Sequence, residues 1–145
     1  MLTDNLNDPL ILLVEDDDNH AVLLKASLQD AEEEYRLEIA VTLQNARNAI
    51  NRQIPDLILT DYRLPDGKGS ELVETVKGLC PVVVLTSHGN AQMAVDAMKA
   101  GVHDYVVKST KLFSEISRIA QRGLRKWSQS QLCVTDISKT FQYRP

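Results

Sequence analysis

Four apolar runs in this sequence end in side chains able to do chemistry. Leu10-Ile11-Leu12-Leu13-Val14 ends in Glu15-Asp16-Asp17-Asp18, and Leu57-Ile58-Leu59-Thr60 ends in Asp61. Val82-Val83-Val84-Leu85 ends in Thr86-Ser87, and Asp104-Tyr105-Val106-Val107 ends in Lys108. Taken singly, each has a plain alternative: Asp61 starts a loop, and Glu15 to Asp18 form a helix cap and a solvated turn. Taken together as neighbouring strand ends, they bring Glu15, Asp16 and Asp61 to one point, where like charges repel unless a cation neutralises them. An all-oxygen set with room for water suits Mg²⁺. Lys108 would reach along the same crevice to pair with Asp61 or with an oxyanion placed on it, and Thr86 would donate a hydroxyl to that oxyanion. A carboxylate nucleophile, a divalent cation, an ammonium and a hydroxyl around one point make a site for in-line phosphoryl transfer. Neither a Gly-x-x-x-x-Gly-Lys-Ser/Thr loop nor a Gly-x-Gly-x-x-Gly fingerprint occurs. Gly67-Lys68-Gly69 follows Asp61 by a turn and reads as a surface loop.

The elements that must position these groups follow from hydrophobic patterning. Continuous apolar runs at 10–14, 57–60 and 82–85 read as strands buried on both faces, whereas the alternating Tyr35-Arg36-Leu37-Glu38-Ile39-Ala40-Val41 reads as a strand nearer the sheet's edge. Asp104 to Val107 supplies the fifth strand. Asp18 or Asn19 is expected to cap a first helix with Val22, Leu23, Ala26 and Leu28 inward. Thr42 is expected to cap a second through Arg52 with Leu43, Ala46, Ala49 and Ile50 inward. A short third helix spans Ser70 to Lys77, burying Leu72, Val73 and Val76 and stopping at Gly78. A fourth spans Asn90 to Lys99 with Ala91, Ala94, Val95 and Met98 as its apolar stripe. The last runs from Leu112 to Trp127 with Leu112, Ile116, Ile119, Ala120 and Leu124 inward. Strands alternating with helices through short connections require right-handed crossovers and a parallel sheet covered on both faces. The expected fold is therefore α/β, a doubly wound five-stranded parallel sheet in the flavodoxin-like order 2-1-3-4-5, which puts the first and third strands side by side.

The 145 residues are one domain's worth, with residues 1–9 a loose leader, 10–127 the folded domain, and 128–145 a linker or tail that could open a further segment. Cys80 and Cys133 form no framework, a reducing compartment is the plain expectation, and no apolar run approaches the length that crosses a bilayer. These features point to a cytoplasmic protein with no membrane insertion. A formal charge of −4 offers no broad basic face, so no direct nucleic-acid partner is expected, although the last helix is locally basic.

The motifs Ile11-Leu12-Leu13-Val14-Glu15-Asp16-Asp17, Leu57-Ile58-Leu59-Thr60-Asp61-Tyr62-Arg63-Leu64-Pro65-Asp66-Gly67, Val84-Leu85-Thr86-Ser87 and Gly101-Val102-His103-Asp104-Tyr105-Val106-Val107-Lys108 resemble, in order and spacing, the receiver domain of two-component response regulators. The resemblance implies that Asp61 is the phosphoacceptor, that Glu15, Asp16, Asp61 and the carbonyl of Arg63 hold Mg²⁺, and that Lys108 contacts the phosphoryl group. It further implies that Thr86 moves toward that group, that Tyr105 is the aromatic switch, and that Arg63 and His88 tune phosphoryl lifetime. One departure is Ser109, where the family usually places a proline after its lysine in cis linkage. A non-proline cis bond costs about 2.5 to 4 kcal/mol, so a trans bond with a shifted loop is expected here.

The function so implied is a phosphorylation-dependent signalling switch, with Asp61 charged by a sensor histidine kinase or a phosphotransfer protein. It would catalyse only its own phosphorylation and dephosphorylation. Output would pass through a partner protein or an effector segment, and a homodimer is open. Two other classes compete. A docking module would bind partners without phosphate, and a magnesium-dependent phosphatase would need a second acid, for which Asp66 is the nearest candidate across the Pro65 turn.

Overall fold

The computed structural model describes residues 1–125. Its main sheet consists of β1 (Leu10–Val14), β2 (Arg36–Ala40), β3 (Leu57–Asp61), β4 (Val82–Thr86) and β5 (Asp104–Val107). All neighbours pair in parallel, in the order β2-β1-β3-β4-β5, as the sequence pattern predicts. Five helices flank it: α1 (Asp18–Gln29), α2 (Leu43–Arg52), α3 (Leu72–Val76), α4 (Ala91–Lys99) and α5 (residues 110–125). The sequence places the end of the last helix at Trp127 and a tail at 128–145, both outside the described residues.

Alternation along the buried strands divides the core in two. Leu12, Val14, Ile58, Val82 and Val84 face α2, α3 and α4, while Ile11, Leu13, Leu57, Leu59, Val83 and Leu85 face α1 and α5. β2 lies at the edge as expected. Residues 1–9, expected as a loose leader, reach that edge too: Leu2 bridges Tyr35 in parallel, and the Tyr35 N–H donates to the Met1 carbonyl at 2.7 Å.

The α2 expectations hold throughout. Thr42 Oγ1 accepts from the Asn45 N–H at 3.0 Å, and Leu43, Ala46, Ala49 and Ile50 are buried. α1 and α4 are rotated from expectation. On α1 the inward residues are Leu24 and Leu28, while Val22, Leu23 and Ala26 are exposed, and the cap is Asp17, not Asp18 or Asn19. On α4 the buried pair is Met93 and Ala97, with Ala91, Val95 and Met98 exposed. Both helices carry apolar residues on more than one side, so the pattern allows two faces and packing selects the i, i+4 pair that meets the sheet. α3 is preceded by a 3-10 turn, Gly69–Glu71, and ends with Lys77 at φ 50° just before Gly78.

Between β3 and α3 the chain makes a short antiparallel hairpin, Arg63–Leu64 against Gly67–Lys68. Its turn residue Asp66 accepts from the N–H groups of Leu43 (2.8 Å) and Gln44 (3.0 Å) at the start of α2. Asp66 therefore caps a helix remote in sequence. These bonds, the Leu43 N–H first, hold its carboxyl below the ordinary value of 3.8. A carboxylate with a lowered folded-state pKa stabilises the fold above its unfolded value and loses that contribution as pH falls through the folded one. Asp66→Ala is accordingly expected to lower Tm at pH 7, with the deficit to wild type narrowing below pH 3.8; paired thermal melts at the two pH values check this, and equal Tm values at pH 7 would show that the cap contributes nothing.

Candidate functional site

Parallel strands end on the same side, so the C-terminal ends of β1, β3, β4 and β5 form one crevice. Glu15 follows β1 directly, and its N–H still bonds the Ala40 carbonyl of β2 at 2.9 Å. This last sheet bond keeps Glu15 buried while Asp16 and Asp17 emerge into solvent. Asp61 is the last residue of β3, paired in register with Leu85, and is half-buried. Glu15, Asp16 and Asp61 each offer a carboxylate oxygen, and the three oxygens lie within 4.8 Å of one another. A hard divalent cation takes such oxygens readily, and the open side leaves room for water.

Lys108 extends from the end of β5 across the mouth of the crevice. Its Nζ lies 2.5 Å from Glu15 Oε2 and 3.4 Å from Asp61 Oδ2, with the side chain 3% exposed. Burial pushes the Glu15 carboxyl up, and the Lys108 ammonium opposes that shift. The pair holds a carboxylate and an ammonium out of water together, each offsetting the other's desolvation. Thr86, the last residue of β4, is buried, and its Oγ1 accepts from the His88 N–H at 3.4 Å. Glu15, Asp16, Asp17, His20, Asp61, Arg63, Thr86, Ser87 and His88 line a cleft of about 330 Å³.

The structure thus brings Glu15, Asp16, Asp61, Thr86 and Lys108 together and sets Arg63 and His88 at the rim. Tyr105 stands off the cleft on the α4 side of the sheet. Its ring meets Tyr62 edge-on at 6.5 Å, and its buried hydroxyl has no hydrogen-bond partner among the described residues. The Lys108–Ser109 peptide is trans, as expected. Ser109 instead accepts from the Leu112 N–H through Oγ at 3.2 Å, which starts α5 with a serine cap.

Two residues at the site escape a reading of the sequence by strand ends. His20, on the first turn of α1, brings Nδ1 to 3.1 Å from Lys108 Nζ. The available signal was its place three residues after the Asp17 cap, whose carboxylate takes the His20 N–H at 3.1 Å and turns this residue toward the β1 end. Gly69 is the other. The surface-loop expectation holds for exposed Lys68 but not for Gly69, which is buried against β3. A Cβ there would lie 2.1 Å from the Asp61 carbonyl oxygen and 2.5 Å from Thr60 Oγ1. No sequence pattern announces that approach.

The family model for the response regulator receiver domain matches residues 11–120. Among curated relatives, the methanogenesis regulatory protein FilR1 of Methanothrix harundinacea is 32% identical over 82% of this chain and 28% of its own length. The regulatory protein LuxO of Vibrio cholerae is 31% identical over 90% of this chain and 29% of its own. The chain therefore spans less than a third of the length of these relatives. Among solved structures, the signal receiver domain of a LuxO repressor protein from Vibrio parahaemolyticus superposes with a TM-score of 0.76 at 27% identity, covering 87% of this chain and 97% of that one. The Mn²⁺-bound form of the response regulator Rcp1 gives 0.69 at 28% identity, covering 77% and 91%.

Because the atom facing Gly69 is backbone, a side chain there must displace the end of β3. Gly69→Ala is expected to cost about 1–3 kcal/mol of stability, measured by chemical denaturation. A stability equal to wild type would show that the segment after the hairpin is free to move away from Asp61.

Proposed function

This chain belongs to the response regulator receiver family, and from that premise we propose that it is a phosphorylation-controlled switch with Asp61 as phosphoacceptor. The observation that carries the proposal is the meeting of three carboxylates within 4.8 Å at the ends of two adjacent strands, with an ammonium 3.4 Å from one of them. Asp61 Oδ attacks the phosphorus of a phosphohistidine in a sensor histidine kinase or phosphotransfer protein. A P–O bond to Asp61 forms while the P–N bond breaks, and its electron pair stays on the imidazole. Glu15, Asp16, Asp61 and the Arg63 carbonyl would hold Mg²⁺, which when bound supplies positive charge to the transferring oxygens. The Mn²⁺ named for Rcp1 supports a divalent ion in this kind of site.

Lys108, already beside Asp61, exchanges part of its pairing with carboxylates for a phosphoryl oxygen. Thr86 donates its hydroxyl to another. Reorientation of Thr86 alters the packing above Tyr105 and biases the surface formed by α4, β5 and α5. Water attack at phosphorus returns inorganic phosphate and the free Asp61 carboxylate, and Arg63 and His88 at the rim control how water reaches it. Output then passes through a partner protein, an effector segment or a second copy of the chain.

A phosphate-independent docking module is the second reading, since the helices expose apolar residues whether or not Asp61 is modified. The phosphatase reading is weakened by Asp66, both of whose carboxylate oxygens accept from α2 backbone rather than facing the cleft.

Intact-mass measurement with acetyl phosphate tests the proposal. One phosphoryl group is expected in the presence of Mg²⁺ and none without it or in Asp61→Asn. Lys108→Ala is expected to slow the gain about a hundredfold or more. No gain in wild type, together with equal partner binding by wild type and Asp61→Asn, would hand the function to the docking reading.

A further inference from the structure

We propose that His20 is a positioning residue for phosphoryl transfer, its Nδ1 acting as the acceptor that holds the Lys108 ammonium in place beside Asp61. The inference rests on the phosphoacceptor reading above and adds a residue to it. Lys108 has three N–H donors, and its side chain is 3% exposed, so donors left without protein acceptors find little water. Glu15 takes one donor at 2.5 Å and Asp61 faces another at 3.4 Å. His20 Nδ1 completes the set at 3.1 Å from Nζ, with Glu15 Oε1 at 3.7 Å, and toward an ammonium that nitrogen can serve only as acceptor.

The charge of the third acceptor matters. Three carboxylates already crowd the crevice, so a fourth would compete with the incoming phosphoryl oxygens for the same ammonium. An imidazole nitrogen fixes direction without adding negative charge.

The imidazole is itself held from two sides. Its backbone N–H is bound by Asp17 at the start of α1, and its ring packs at 5.6 Å and 47° against Phe113 on the first turns of α5. Phe113 follows Lys108 by one short segment, whose Ser109 hydroxyl caps α5. His20 therefore links the start of α1 to the first turns of α5 beside the ammonium. In this arrangement each of the three Lys108 donors has an acceptor within 3.4 Å.

The test compares His20→Leu, which keeps bulk against Phe113 and removes the acceptor, with His20→Asn, whose amide oxygen can stand near the Nδ1 position. Affinity for beryllofluoride with Mg²⁺ is read by calorimetry, alongside the rate of phosphorylation by acetyl phosphate, Mg²⁺ affinity and Tm. His20→Leu is expected to weaken beryllofluoride binding about tenfold, with Mg²⁺ affinity retained. His20→Asn should restore most of the loss, and His20→Leu should cost nothing further in a Lys108→Ala background. Unchanged beryllofluoride affinity in His20→Leu, equal losses in both variants, or full additivity with Lys108→Ala would each overturn the positioning role. Failure of wild type itself to bind beryllofluoride is a separate result: it sinks the phosphoacceptor reading, and this inference with it.

Discussion

The ion pair between Lys108 and Glu15 is the interaction on which the arrangement of the crevice depends. Its members are 93 residues apart in sequence, and in the sheet order β5 and β1 are separated by β4 and β3. A lysine reaches that far only by lying across the strand ends, which puts its ammonium over Asp61 on the way. The attraction does not make the protein markedly stable, since removing both ions from water costs about as much as their pairing returns. Its consequence is positional. With Glu15 buried, the carboxyl is pushed up by desolvation, and the ammonium is what keeps a charged form acceptable there.

Around that pair, each charged group has a backbone feature that limits where it can go. Glu15 is held by the last β1–β2 bond, and the neighbouring Asp17 leaves the site to cap α1. Asp61 is the last residue of β3, and Gly69 lies against its carbonyl, so the loop behind it closes without pushing it forward. Asp66 ties the hairpin to the start of α2. The carboxylates nearest the site thus have separate duties. Glu15 and Asp16 flank Asp61 within 4.8 Å, and Asp17 and Asp66 are consumed by helix starts.

The α4 side has a different character. Tyr105 is packed with the cluster that includes Met93 and Ala97, yet its hydroxyl has no partner among the described residues, and Gly89 closes over it without a Cβ. A buried donor left unpaired is a local cost that a change nearby can relieve. Cys80, on the same side, offers no chemistry of its own, because burial pushes its thiol up to about 12.

Much of this was legible in the residues themselves. Apolar runs of strand length ending in acids, a threonine and a lysine determined the five strands, their order and the five side chains of the crevice, because parallel strands must deliver their ends to one side. The α2 face was equally plain, since only one side of that helix is apolar. What the pattern left open was decided by packing. α1 and α4 carry apolar residues on two sides, and only contact with the sheet chose Leu24 and Leu28, or Met93 and Ala97. The partners of Asp66, Gly69 and His20 lie on other elements, and a one-dimensional pattern carries no distance between elements. Strand composition therefore determined which chemistry meets, while tertiary contacts alone decided what holds Lys108 and Asp61 in position for it.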